Sequence, residues 1–233
     1  MTKWQIVVPE DFKVTNKNYR FNGKEYIRVT QSLNIINKPG ITAWSARVGR
    51  KKVETILKRR CDLGTTVHNL FERTLKGEAF NLGTYEKEIQ EDLELFDEFR
   101  INCCIKAGAL EQRLWSNKYE YAGTADAIAD YKTNKKYLIR GHKSRFDNGA
   151  HVIIDWKTSA DLYNSYWLQI SAYIVAFEEL TKIKLDGGVL VQFRNNRVRV
   201  REKTYKELIE LFAVYKNALE LYRWQHKLGK WAK

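Results

Sequence analysis

The sequence predicts an α/β fold, a mixed sheet covered by helices. Three observations carry this. Apolar residues recur at helical spacing near both ends of the chain, and strand-like runs of period two fill residues 111–157. A helical stretch then separates those runs from a further hairpin, so strands alternate with helices.

Residues 1–40 are mixed, with strand-like pieces at 5–8 and 25–29 and the turn NKPG at 37–40. Residues 42–60 are helix-compatible and carry the densest basic cluster: Arg47, Arg50, Lys51, Lys52, Lys58, Arg59 and Arg60. Val67, Leu70, Phe71 and Leu75 predict a second helix over 65–76, which Gly77 can end, and a third follows over 85–105. Strands are expected at 111–116, 119–131, 136–140 and 151–157, as an antiparallel meander. An amphipathic helix at 161–181 buries Trp167, Ile170, Ile174 and Phe177. Residues 185–193 and 198–201 form a hairpin around Asn195 and Asn196. The last helix, 205–228, lines up Leu208, Phe212, Tyr215, Leu219 and Tyr222 as core.

Two prolines and no Ser/Gly-rich tract leave no linker, so one domain over 1–233 is expected. Residues 1–60 form its N-terminal extension and 205–233 its C-terminal helix. The chain has 41 Lys plus Arg against 28 Asp plus Glu, a net charge of +13, which points to a polyanionic partner. Nucleic acid fits better than membrane, because no apolar run approaches the roughly 18 to 20 residues of a bilayer span. The opening MTKWQIVVPE has no signal-peptide character, and Cys61, Cys103 and Cys104 lack CxxC spacing. Neither a disulfide framework nor a zinc knuckle is expected, and a reducing cytoplasmic location is.

In HVIIDWKTS, alternation sends Val152, Ile154 and Trp156 to one face and Ile153, Asp155 and Lys157 to the other. An Asp at a strand end can ligate a divalent cation, and a neighbouring ammonium can offset charge on a phosphorane-like transition state. A plain strand-end salt bridge is the alternative. Upstream, in YAGTADAIAD, Gly123, Ala125, Ala127 and Ala129 are expected to form one small face with Asp126 on the other. Asp126 and Asp155 together supply the paired oxygens that a hard cation prefers. Asp130 is assigned to the strand end.

Gly64-Thr65-Thr66-Val67-His68, Glu111, and Gln169-Ile170-Ser171-Ala172-Tyr173 complete a series: GxxxH, an acid, GTxD, DWKTS, QxxxY. In this order the series resembles the PD-(D/E)XK nuclease superfamily in its RecB-like branch, over about residues 28–200, and is similar to mitochondrial genome maintenance exonucleases and phage exonucleases. The resemblance implies a restriction-endonuclease-like core and one or two Mg²⁺ or Mn²⁺ ions held by His68, Asp126, Asp155 and the main-chain carbonyl of Trp156. It implies Lys157 as the catalytic lysine, Glu111 as an acid that positions a second metal or the water, and Gln169 with Tyr173 lining the scissile phosphate or the DNA backbone. The proline of the name-giving motif is absent, as Ala125 precedes Asp126. No cysteine follows Cys104, so no iron-sulfur cluster is expected, and no GxxxxGK[ST] loop suggests an ATP site.

DNA, single-stranded or with free ends, is the expected partner. Trp44 is a candidate stacking residue, and Arg47, Arg50, Lys51 and Lys52 would follow the phosphates. The loop at 140–150 is either a second contact or a solvated tip. An exonuclease leads; an endonuclease on the same fold and a catalytically silent DNA-binding module are the alternatives.

Overall fold

The computed structural model describes residues 4–15, 18–37 and 39–228. Strands β1 (Lys13–Val14), β2 (Tyr19–Phe21) and β3 (Lys24–Arg28) make a short antiparallel meander. One helical turn, α1 (Val29–Ser32), leads to α2 (Pro39–Val48), α3 (Arg50–Lys76) and α4 (Lys87–Asn102). Strands β4 (Lys106–Ser116), β5 (Tyr121–Tyr131) and β6 (Ala150–Lys157) follow, antiparallel to one another in sequence. Helix α5 (Ser165–Thr181) crosses to β7 (Gly187–Arg194), which runs parallel to β6, as a crossover of this length permits. Strand β8 (Arg197–Thr204) and helix α6 (Tyr205–Leu228) close the chain. The result is an α/β fold with one mixed sheet flanked by helices.

Apolar side chains fill both faces of the sheet. Ile153 and Leu190 pack with Ile170, Phe177, Leu208 and Tyr215 of α5 and α6. Val152, Ile154 and Trp156 pack with Leu70, Phe71, Phe96 and Phe99 of α3 and α4. Phe71 and Phe96 stack at 3.9 Å, and the Trp156 ring stands edge-on to both. The predicted alternation of faces along β6 therefore holds.

One irregularity positions everything that follows. Strand β5 pairs β4 along one edge, but on its other edge β3 reaches only Tyr121 and Ala122 while β6 reaches only Ala127 to Tyr131. Residues 123–126 pair with neither, and the sheet forks there. At the same place Glu111, opposite Asp126 on β4, has φ +44, a left-handed conformation that costs a non-glycine residue roughly 1 kcal/mol or more. The faces reverse as a consequence: Ala125 joins the α5 core, whereas Ala127 and Ala129 join the α3–α4 core. The expected single small face from Gly123 to Ala129 is thus split in two.

Other expectations are corrected. Residues 5–8 are not a strand, because the buried Gln112 amide takes both the N–H and the C=O of Ile6, at 3.1 Å each. Residues 136–140 are not a strand either. The Asn134 side chain accepts from Lys136 N–H and starts a 3₁₀ turn, leaving Leu138 a single bridge to Val200. The helical break predicted between 60 and 65 lies instead at Gly49, φ +91, and α3 runs through Gly64. Helices α4 and α5 begin later than expected, and β4 begins at Lys106. There a register shift at Gly108 admits the Trp4 ring, which a Cβ would meet at 1.9 Å. No helix among the described residues is long and apolar enough to cross a membrane.

Candidate active site

The fork sets the geometry of Asp126. Where β6 leaves β5, the Asp126 carboxylate takes the place of the missing ladder bond, its Oδ2 accepting the Trp156 N–H at 2.8 Å. Its Oδ1 lies 3.5 Å from Nδ1 of His68. His68 is aimed there by α3, which passes close because Gly64, one turn earlier, has no side chain; a Cβ would sit 3.0 Å from the Thr158 hydroxyl. Glu111 adds a second carboxylate from β4. One ligand atom each from His68, Glu111 and Asp126 lie within 4.8 Å of one another, a spacing that one cation could span. They open on a cavity of about 390 Å³ that Asn69, Glu72 and Thr124 also line.

Asp155 is not in that trio. It is 1% exposed and is held from behind. Its Oδ1 accepts from the Gln169 amide at 3.0 Å, and the same amide reaches the Tyr173 hydroxyl at 3.3 Å. Its Oδ2 lies 2.6 Å from the Lys157 ammonium, which pairs with it. Tyr166 covers the ammonium on its other side, 4.7 Å from Nζ to ring centre.

The ionisation pattern follows from burial and these neighbours. Burial lowers the pKa of Lys157, but Asp155 and Asp126 outweigh it and raise the pKa, so the ammonium persists. Burial likewise opposes the charged form of His68, and Asp126 overcomes it. Asp126 is held below the ordinary carboxylate range despite its burial, through His68, Lys157 and the Trp156 N–H. Asp155 is pushed up by burial, against Lys157. Glu111 is pushed up to about 7, by burial first and then by the charge on Asp126.

Asp126, Asp155, Lys157, His68 and Glu111, drawn from four elements, therefore gather around one fork. Trp156 contributes only main chain, since its ring is buried. Gln169 and Tyr173, expected to line the scissile phosphate or the DNA backbone, are 8% and 2% exposed and sit behind Asp155, too deep to touch a backbone. Hydrogen-bond demand explains this, because a buried carboxylate requires donors. Tyr166, Thr124 and Thr158 were missed by the sequence reading. Thr124 and Thr158 stand inside the GTxD and DWKTS motifs, and Tyr166 stands three residues before Gln169 on the same helical face.

Trp44 is half-buried on α2, and Arg47, Lys51 and Lys52 are exposed. Much of the remaining cluster is already neutralised: Arg50 pairs with Glu54, Arg59 with Glu86 and Arg60 with Glu88. Asp130 pairs with His151 at 2.6 Å beside the strand end, in keeping with a structural role. Cys61, Cys103 and Cys104 are free.

Comparison with known proteins adds little to this geometry. No family model matches the sequence, and no curated protein is similar to it. Among solved structures it aligns with one described as "Crystal structure of SSO0001", over 87% of this chain and 77% of that one. The identity is 17% and the TM-score 0.37, too low to carry an argument.

Proposed function

We propose that this chain is a Mg²⁺- or Mn²⁺-dependent deoxyribonuclease built on a PD-(D/E)XK core of the RecB-like type. It hydrolyses phosphodiester bonds as an exonuclease on single-stranded DNA or free ends, in replication, repair or recombination. The observation that carries the reading is the fork: two acids from separate strands, an ammonium and an imidazole converge where β5 and β6 part.

The residues fit a hard cation on two counts. His68, Glu111 and Asp126 offer atoms at suitable mutual distances, and Asp155 brings a further buried carboxylate whose Oδ2 faces the Lys157 ammonium rather than a fixed N–H. His68, Asp126 and Asp155, with the Trp156 carbonyl, would hold the ion, and Glu111 would complete the set or position a second one. When bound, the cation supplies charge neutralisation at the phosphate and acidifies water at neutral pH. Lys157 offsets negative charge that grows on the phosphate oxygens as the attacking oxygen bonds to phosphorus. Gln169 and Tyr173 hold Asp155 in one orientation, as supporting groups around metal ligands do.

Linear and circular single-stranded DNA, incubated with Mg²⁺ or Mn²⁺, test the proposal. Wild type should degrade the linear form and spare the circle, and Asp126→Ala and Lys157→Ala should each lose on the order of a hundredfold or more in rate. Cleavage of the circle would replace the exonuclease with an endonuclease. Undiminished cleavage by both variants would remove the site, and binding without any cleavage would leave a DNA-binding module.

A further inference from the structure

Strand β8 carries a row of cations that the site above does not use. It reads Arg197, Val198, Arg199, Val200, Arg201, Glu202, Lys203, and a period of two sends alternate side chains to opposite faces. Val200 and Glu202 are buried beside α4, where Glu202 accepts from Tyr131 and Thr133. Arg197, Arg199, Arg201 and Lys203 therefore share the other face, roughly 6 to 7 Å apart along the strand. Arg194 lies opposite Arg197 across the hairpin and extends the row.

Among the described residues, none of these five cations has a carboxylate within ion-pair distance. This separates them from Arg50, Arg59 and Arg60 of α3, each of which already contacts a carboxylate that offsets part of its charge. The positive field of the row reaches its surroundings. The Nε of Arg201 is buried without an acceptor, and His142 on the neighbouring loop is held below its ordinary pKa by burial and then by Arg201 and Lys203.

The row also connects to the fork. The chain leaving Lys157 is pinned by Gln192, whose amide donates to the carbonyls of Ser159 and Ala160 at 2.6 and 3.1 Å. The other end of that amide accepts from Arg199 at 3.2 Å. Ala160, Gln192, Arg194, Arg197 and Arg199 line an open cavity of about 570 Å³ beside that segment.

We propose that the outer face of β8, from Arg197 to Lys203 with Arg194, is the track that holds the sugar-phosphate backbone of single-stranded DNA beside the fork. Arg199 donates to Gln192, Arg201 to the Leu162 carbonyl, and Lys203 lies over the Trp167 ring, so these contacts hold the groups in a line without neutralising them. Cations spaced like successive phosphates of an extended strand suit that occupant better than a compact anion. The inference rests on the nuclease reading for its choice of DNA.

Anisotropy of a fluorescein-labelled oligothymidylate, titrated with protein in Ca²⁺ over a series of salt concentrations, tests it. The combined variant Arg197→Gln/Arg199→Gln/Lys203→Gln should bind at least tenfold more weakly at low salt. Its plot of log affinity against log salt should be shallower by about 2, the share of three phosphate contacts on a single strand. Arg197→Lys/Arg199→Lys keeps the charge and should stay near wild type, and Lys51→Gln/Lys52→Gln should lose less than the β8 variant. Thermal melts check folding; should the triple variant not fold, Arg197→Glu at the exposed hairpin end must weaken binding in its place. Wild-type affinity and slope in the folded triple variant or in Arg197→Glu, a loss confined to the α3 variant, or no binding by wild type would each overturn the track. The two readings fail separately: β8-dependent binding without metal-dependent cleavage sinks the nuclease alone, and cleavage with β8-independent binding sinks the track alone.

Discussion

Gln169 is the residue through which the site is most easily weakened without touching a charge. Its amide donates to Oδ1 of Asp155, the oxygen opposite the one that pairs with Lys157, and it also contacts the Tyr173 hydroxyl. Gln169→Ala should leave the fold intact and lower Mn²⁺ affinity or cleavage by roughly 10- to 100-fold, the usual effect of losing a group behind a metal ligand. An Mn²⁺ titration of the variant checks this, and an unchanged affinity and rate would make Gln169 mere packing. Glu111 sets a pH dependence. Its carboxyl is raised to about 7, so below that pH a proton occupies the oxygen that a cation would use. Mn²⁺ affinity measured by calorimetry should therefore rise from pH 6 to pH 8, and Glu111→Gln should flatten that rise. That these residue types fall at motif spacing was legible in the sequence, because it is local. That Gln169 serves a carboxylate rather than a DNA strand was not, since burial depends on what packs above it.

At the scale of elements, close approach of helix and strand decides the site. Tyr173 of α5 lies directly over Gly123 of β5, and a Cβ there would sit 2.5 Å from the ring. Gly123→Ala should displace Tyr173, destabilise the protein by about 1–3 kcal/mol as overpacked cores do, and impair cleavage through Gln169. Denaturant unfolding and a cleavage assay, run side by side, check both; a variant with wild-type stability would mean that the ring has room to move. The periodic helices and the Asn195–Asn196 hairpin were readable locally. That turn takes φ +51 and +54, the conformation such two-residue hairpins require and asparagine tolerates. The false strand at 136–140 and the misplaced break near Gly64 share one cause. A glycine or a short apolar run has the same local signature whether it ends an element or lets a neighbour approach.

For the whole molecule, Asp92 offers a stability handle away from the fork. It is 7% exposed on α4, and burial, then Glu88 and Glu91, raise its carboxyl to about 7. A folded-state pKa above the unfolded one means that the native protein binds this proton more tightly. Stability from this group is full below about pH 4 and is lost as pH rises through 7. Asp92→Asn, which cannot ionise, should match wild type only at about pH 4 and below, and should exceed it at pH 8 by on the order of a few kcal/mol. Thermal melts across that range decide it, and a pH-independent difference would count against the account. Ligand linkage gives a second global readout: Mn²⁺ should raise the melting temperature of wild type and not of Asp126→Ala.

The sequence by itself determined most of the helices and the central strands, by their periods, and the candidate acids, lysine and imidazole, by residue type. Tertiary structure alone decided that β3 and β6 part around residues 123–126, that the faces of β5 reverse at Asp126, and which cations remain unpaired. Local patterns report a residue's preferred conformation and polarity. Where a strand loses its neighbour, and whether a carboxylate from a distant helix has already reached an arginine, depend on contacts far apart in the chain, and no local period encodes them.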